Sequence, residues 1–176
     1  FVPDVDIYDI NGNKIQTGTT VETHQLVTYG KAINNPNTYY STSKKNGNNY
    51  ANWISTELYN DKNWYDITDA TGKTFFDPCP EGWRLPTKDE FSDFTTSTSI
   101  WDSAYKGRTY NGNWFPAAGM LMENGKINSQ SLTGRYRTSV VYEMNAGYVQ
   151  FIDAEEASMI HNMNHYGMSG RCIKDK

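Results

Sequence analysis

The chain has 176 residues, a natural size for one domain, and its formal net charge of -4 comes without any run of like charges. That balance gives no electrostatic footprint for nucleic acid or an anionic membrane surface, and no apolar stretch approaches the roughly 18 residues needed to span a bilayer. Hydrophobic residues reach only 37%, but 14% aromatics argue against disorder and predict an aromatic-rich core.

In chain order, the start at Phe1 without a methionine reads as a processed or trimmed piece. Val5 to Ile10 is strand-like, Asn11-Gly12 is a hairpin signal, and Asn13 to Gln16 can return as the partner. Residues 41–50 are polar around Asn46-Gly47 and read as an exposed loop. Residues 51–66 carry Trp53, Ile54, Leu58, Tyr59, Trp64 and Tyr65 with neither helical nor strand period, and read as an irregular packed segment. Pro86 then stops the extended chain, Thr87 can cap a helix, and Glu90 completes a capping box, with Asp89 and Glu90 favouring the positive helix end. This predicts a short helix over 88–96 with Phe91 and Phe94 on one face.

Strands follow. Ala117 to Met122 and Lys126 to Leu132 flank Asn124-Gly125 as a hairpin, Tyr136 to Tyr142 and Tyr148 to Ile152 flank a turn at 145–147, and Met168 to Lys174 closes the chain as a last strand. No repeat or linker divides the chain, and few helices with many short strands and long loops predict an α+β domain.

Two segments hold the only cysteines: Asp77-Pro78-Cys79-Pro80-Glu81-Gly82-Trp83-Arg84-Leu85-Pro86-Thr87, and Gly170-Arg171-Cys172-Ile173-Lys174-Asp175. Their count permits one disulfide or a reduced pair. Together with Gly30 to Pro36, Thr38-Tyr39-Tyr40, Lys73-Thr74-Phe75-Phe76 and Phe115-Pro116-Ala117-Ala118-Gly119, they resemble, in wording and in order, the major-paralogous and fimbrillin-associated domains of Bacteroidetes surface proteins. The resemblance covers residues 25–176 and leaves 1–24 as an N-terminal hairpin or lead-in. It implies a C-type-lectin-like fold with small antiparallel sheets, one or two short helices and long irregular loops, and a disulfide between Cys79 and Cys172. It also implies export to the extracellular space or outer cell surface, on a fimbrial tip or a surface lipoprotein, with a glycan or a host or bacterial surface protein as partner. Trp83 is expected in the core beside the bridge. Arg84 and Arg171, one in each hallmark segment, are expected to share a structural role in satisfying buried carbonyls or carboxylates.

Catalytic patterns are thin. No G-x-S-x-G occurs, and two cysteines so far apart lack the close pair used by formylglycine-generating enzymes on a related fold. His161 and His165 have the spacing of a helical zinc pair, but no glutamate base lies between them and Gly167 follows at once. Asp61, Asp66 and Asp69, or Asp153, Glu155 and Glu156, could gather oxygens for calcium, yet the EPN, QPD and WND patterns of calcium lectins are missing. The expectation is therefore no enzyme, no metal and no cofactor.

Binding carries more signal. Eighteen asparagines and 13 tyrosines supply amides and flat amphipathic rings, which recognise sugars by hydrogen bonds plus stacking and proteins by low-entropy contacts. They accumulate over residues 134–166, read as late display loops, with Tyr136, Arg137, Tyr142, Asn145, Tyr148, Gln150, His161, Asn164 and Tyr166 as ligand candidates. Two alternatives stand beside this reading: a pilus-assembly module that pairs strands with other subunits through Val5 to Ile10, and an enzyme on a lectin-like scaffold.

Overall fold

A computed structural model describes residues 73–74, 77–122, 126–143 and 146–175, with four short strand pieces nearer the N-terminus. Those pieces are β1 (Ile7–Tyr8), β2 (Lys14–Ile15), β3 (Val21–Thr23) and β4 (Tyr39–Ser41). β1 pairs antiparallel with β2, as the opening hairpin requires, and β3 pairs parallel with β4. The loop 42–50, the aromatic segment 51–66, the Asn11-Gly12 and Asn124-Gly125 turns, Asn145 and the Asp61, Asp66 and Asp69 group lie outside the described residues.

The remaining strands are β5 (Trp83–Arg84), β6 (Ser99–Asp102), β7 (Gly107–Tyr110), β8 (Asn113–Pro116), β9 (Met120–Leu121), β10 (Ile127–Asn128), β11 (Gly134–Glu143), β12 (Ala146–Ile152), β13 (Ala157–Met163), β14 (Ser169–Gly170) and β15 (Ile173–Lys174). They form small sheets, mostly antiparallel: β6-β7-β8, the pair β9-β10, the pair β5-β15, and a four-stranded sheet ordered β13-β12-β11-β14 in which only β14 runs parallel to its neighbour. β9 and β10 flank the expected Asn-Gly turn.

The helix expected over 88–96 is instead a single 3-10 turn, Asp89–Phe91. Its Glu90 carboxylate accepts the Thr87 N–H at 2.9 Å, but the Thr87 hydroxyl donates to that same carboxylate at 3.2 Å rather than capping the turn. Downstream, the Thr98 hydroxyl accepts the Thr95 N–H at 3.0 Å and bonds the Asp93 carbonyl, so side-chain oxygens take the backbone groups a longer helix would need.

Phe91 and Phe94 do share one buried face, and the core is aromatic as composition predicts. Phe94 stacks on Tyr110 with centroids 4.2 Å apart, and Phe115 stands edge-on to Phe94 at 4.8 Å and to Tyr136 at 5.0 Å. Ile152 and Ala157 close this cluster from the four-stranded sheet. Each large buried side chain contributes about 1.5–3 kcal/mol.

The hallmark segments form a clasp. Cys79 and Cys172 lie at bonding distance, with sulfurs 2.08 Å apart and Cα atoms 5.8 Å apart. Asp77 is buried and accepts the N–H groups of Cys79 at 2.8 Å and Leu85 at 2.9 Å. Buried Arg84 reaches Glu90 with two bonds of 2.8 and 2.7 Å and Asp175 at 3.2 Å. Arg171 does not join it: its guanidinium donates to the Trp114 carbonyl at 3.2 Å and sits 5.0 Å over the Phe115 ring. Trp83, expected inside, is 44% exposed. Neighbours in a strand face opposite ways, and β5 turns Arg84 inward to its carboxylates, which turns Trp83 outward.

Candidate functional site

The described residues of 134–166 are mostly strand rather than display loop, in β11, β12 and β13, and the stretch read as the approach to the last strand is the seven-residue strand β13. Ala157 to Met163 contains one β-branched residue and no Phe, Tyr or Trp, so its strand state follows from pairing along β12 rather than from propensity. The expected last strand is split: β14 joins β11, while β15 pairs with β5 beside the bridge at Cys172.

The sheet sorts the ligand candidates by face and by end. Tyr136 and Gln150 lie opposite each other on β11 and β12, both buried, on the face that meets the aromatic core. The Tyr136 hydroxyl donates to the Pro116 carbonyl at 2.5 Å, and the Gln150 amide donates to the Phe94 carbonyl at 2.9 Å. Burial pushes the Tyr136 phenol well above its ordinary pKa. Arg137, Asn164 and Tyr166 do come together, but as a clamp. The Arg137 guanidinium donates to the carbonyls of Met163, Asn164 and Tyr166 at 3.1, 2.9 and 3.0 Å, which pins the turn after β13. These side chains are engaged inside the fold.

Two residues along β12 and β13, and six along the bulged β11, the same face runs past the core into the open. There Tyr142, Tyr148 and His161, from β11, β12 and β13, form one ring cluster: Tyr142 stacks on His161 with centroids 4.2 Å apart and meets Tyr148 edge-on at 5.4 Å. The Lys88 ammonium lies 4.8 Å over the Tyr148 ring. Tyr142 is 43% exposed, and Met163, two residues beyond His161, is 42% exposed.

Bulges in β11 aim this cluster. The register against β12 slips between Arg137 and Val141 and again before Glu143. Buried Thr138 donates to the Tyr148 carbonyl at 2.9 Å, and the Ser139 N–H reaches the Pro86 carbonyl at 2.8 Å. Irregularities of this kind re-aim side chains at sheet ends and beside sites. Here they bind the hallmark Pro86 to β11 and set Lys88 next to the rings.

The acidic group Asp153, Glu155 and Glu156 is a turn. Asp153 accepts the N–H groups of Glu155 at 2.8 Å and Glu156 at 2.6 Å, and Glu156 bonds the Ser158 hydroxyl. Among the described residues no three His, Cys, Asp or Glu side chains are placed to hold a metal ion. His161 is on a strand and His165 is buried in the following turn, so the helical zinc spacing has no helix beneath it.

Comparison with protein-family models, curated proteins and solved structures returned no match. The chemistry available to the open cluster is therefore read from its own groups. Three rings present flat apolar faces, two phenols and an imidazole can donate and accept, and an ammonium stands at the margin. The set can stack on a planar or sugar ring and hydrogen-bond its periphery, with little ordering cost because a sheet holds the rings in place.

Proposed function

We propose that this chain is a non-catalytic recognition domain, exported to a bacterial cell surface or fimbrial tip, that binds a glycan through Tyr142, Tyr148 and His161. The observation that carries the reading is the exposed ring cluster at the open end of the four-stranded sheet. Tyrosine and histidine rings suit a sugar because each sugar face offers C–H groups to a ring and each edge offers hydroxyls to a phenol. The C-type-lectin-like architecture belongs to the same proposal. Its support is the hallmark wording, the bridge between the two hallmark segments and the small antiparallel sheets around an irregular chain.

A glycan-array screen of the oxidised domain, run with calcium and again with a chelator, tests the proposal. Specific binding in both conditions, reduced about five- to thirtyfold by Tyr142→Ala and by Tyr148→Ala, is the expected result. Loss of one stacking ring removes about 1–2 kcal/mol. Absence of glycan binding, with recognition of a protein ligand instead, would move the site to the protein-partner reading. Tyr136→Ala is unsuitable as a probe, since that ring belongs to the core.

A further inference from the structure

The four-stranded sheet ends differently on its two sides. β14 is only two residues long, whereas β13 runs seven residues in unbroken one-to-one register with β12. β13 contains no Asp, Glu, Lys, Arg or Pro and no bulge. Edge strands are normally blunted by one of those devices or by a covering segment. The three-stranded sheet uses two of them, with Asp102 ending β6 and Pro116 ending β8.

Alternation identifies which backbone groups face outward. In an antiparallel ladder, residues alternate between exchanging bonds with the neighbouring strand and pointing away from it. The Met163 N–H goes to the Asn162 side chain at 2.9 Å, which marks Met163 as outward, and with it His161, Met159 and Ala157. The Met163 carbonyl is already taken by Arg137. Among the described residues Ala157, Met159 and His161 have no backbone partner on the outer side. Three open residues spaced by two are symmetric about Met159.

We propose that β13 is a self-association edge, on which a second copy of this chain adds its own β13 antiparallel about a two-fold axis through Met159. That register pairs every open group: Met159 faces its own copy, and His161 faces Ala157 of the second copy in both directions. Between these bonded pairs, Ile160 faces Ser158 and Asn162 faces Glu156. Apart from the Met159 self-pair, large side chains thus meet small ones, an amide meets a carboxylate, and no like charges are opposed. An isologous contact of this kind closes at two copies.

Sedimentation equilibrium combined with site-resolved hydrogen exchange tests the proposal. The expected result is a monomer–dimer equilibrium in which the amides of Ala157, Met159 and His161 gain protection as concentration rises. Those of Ser158 and Ile160, already bonded to β12, should not change. Asn162→Glu places like charges opposite each other twice and should weaken the dimer several-fold, while Asn162→Lys, which loses the same Met163 bond, should strengthen it. A monomer up to high-micromolar concentration overturns the proposal. So does a dimer without the alternating protection, or a dilute monomer whose odd-numbered amides are already protected by its own chain.

Discussion

Glu90 shows how one side chain can do what a helix cap was expected to do. The Arg84 guanidinium beside it, aided by the Thr87 N–H and opposed by burial, holds its carboxyl down at about 2, against an ordinary value of 4.5. A carboxyl whose pKa is depressed in the folded state adds stability that is fully present above its unfolded pKa and is lost as pH falls through the folded value. Glu90→Gln should therefore cost about 2 kcal/mol at neutral pH, the usual range for hydrogen bonds to a charged group. The gap from wild type should narrow from pH 4.5 downward and close near pH 2. Urea unfolding across that range checks it, and a gap independent of pH would show that the Arg84–Glu90 pair does not carry the effect.

The strongest words in the sequence are the ones the backbone needs. Gly119, which ends Phe115-Pro116-Ala117-Ala118-Gly119, sits at a φ of +73°, and a Cβ there would meet the Asn128 carbonyl at 2.3 Å and the Gln130 nitrogen at 2.8 Å. Neither atom belongs to a side chain that could swing away. Gly119→Ala should cost about 3 kcal/mol or more, read by denaturant unfolding, and a change below about 1 kcal/mol would refute that packing. The bridge is equally local in its wording and long in its reach, closing a separation of 93 residues. Cys172→Ser should remove about 4 kcal/mol and lower Tm by about 10 °C, and wild type in reductant should melt with the variant. An unchanged melting curve in oxidising buffer would show that the bridge adds no stability. The opening hairpin and the Phe91–Phe94 face were legible because turn chemistry and local spacing determine them, whereas the bridge was expected only from the resemblance of its two segments. The outward Trp83 was not, because the orientation of β5 depends on Asp175 at the far end of the chain; nor was the truncated helix, because the Thr98 hydroxyl takes backbone groups that local spacing assigned to a helix; nor was β13, because its residues lack strand propensity and take that state by pairing along β12. The ligand candidates divided for the same reason, since only pairing registers tell Tyr136 in the core from Tyr148 in the open.

The four-stranded sheet carries both proposed roles on one surface: recognition at its open end and association at its β13 edge. One end of its face is closed by Phe94, Tyr110 and Phe115, and the other carries the open rings. An antiparallel continuation through β13 keeps the same face of both copies on one side, so the proposed dimer would present two ring clusters in parallel. Two linked weak sites bind a dense glycan surface more tightly than either alone, by about a hundredfold or more when the geometry permits both to engage. Asn162 faces away from His161, as alternate strand residues must, so its substitution changes the association without touching the rings. Asn162→Glu should therefore leave the affinity for a soluble monovalent glycan unchanged while retention on a glycan-coated surface falls, and Asn162→Lys should raise retention at the same monovalent affinity. Calorimetry against the free glycan and surface plasmon resonance on the coated surface separate the two quantities. Parallel changes in both would place Asn162 in the binding site itself, whereas retention indifferent to either variant would mean that each copy binds alone.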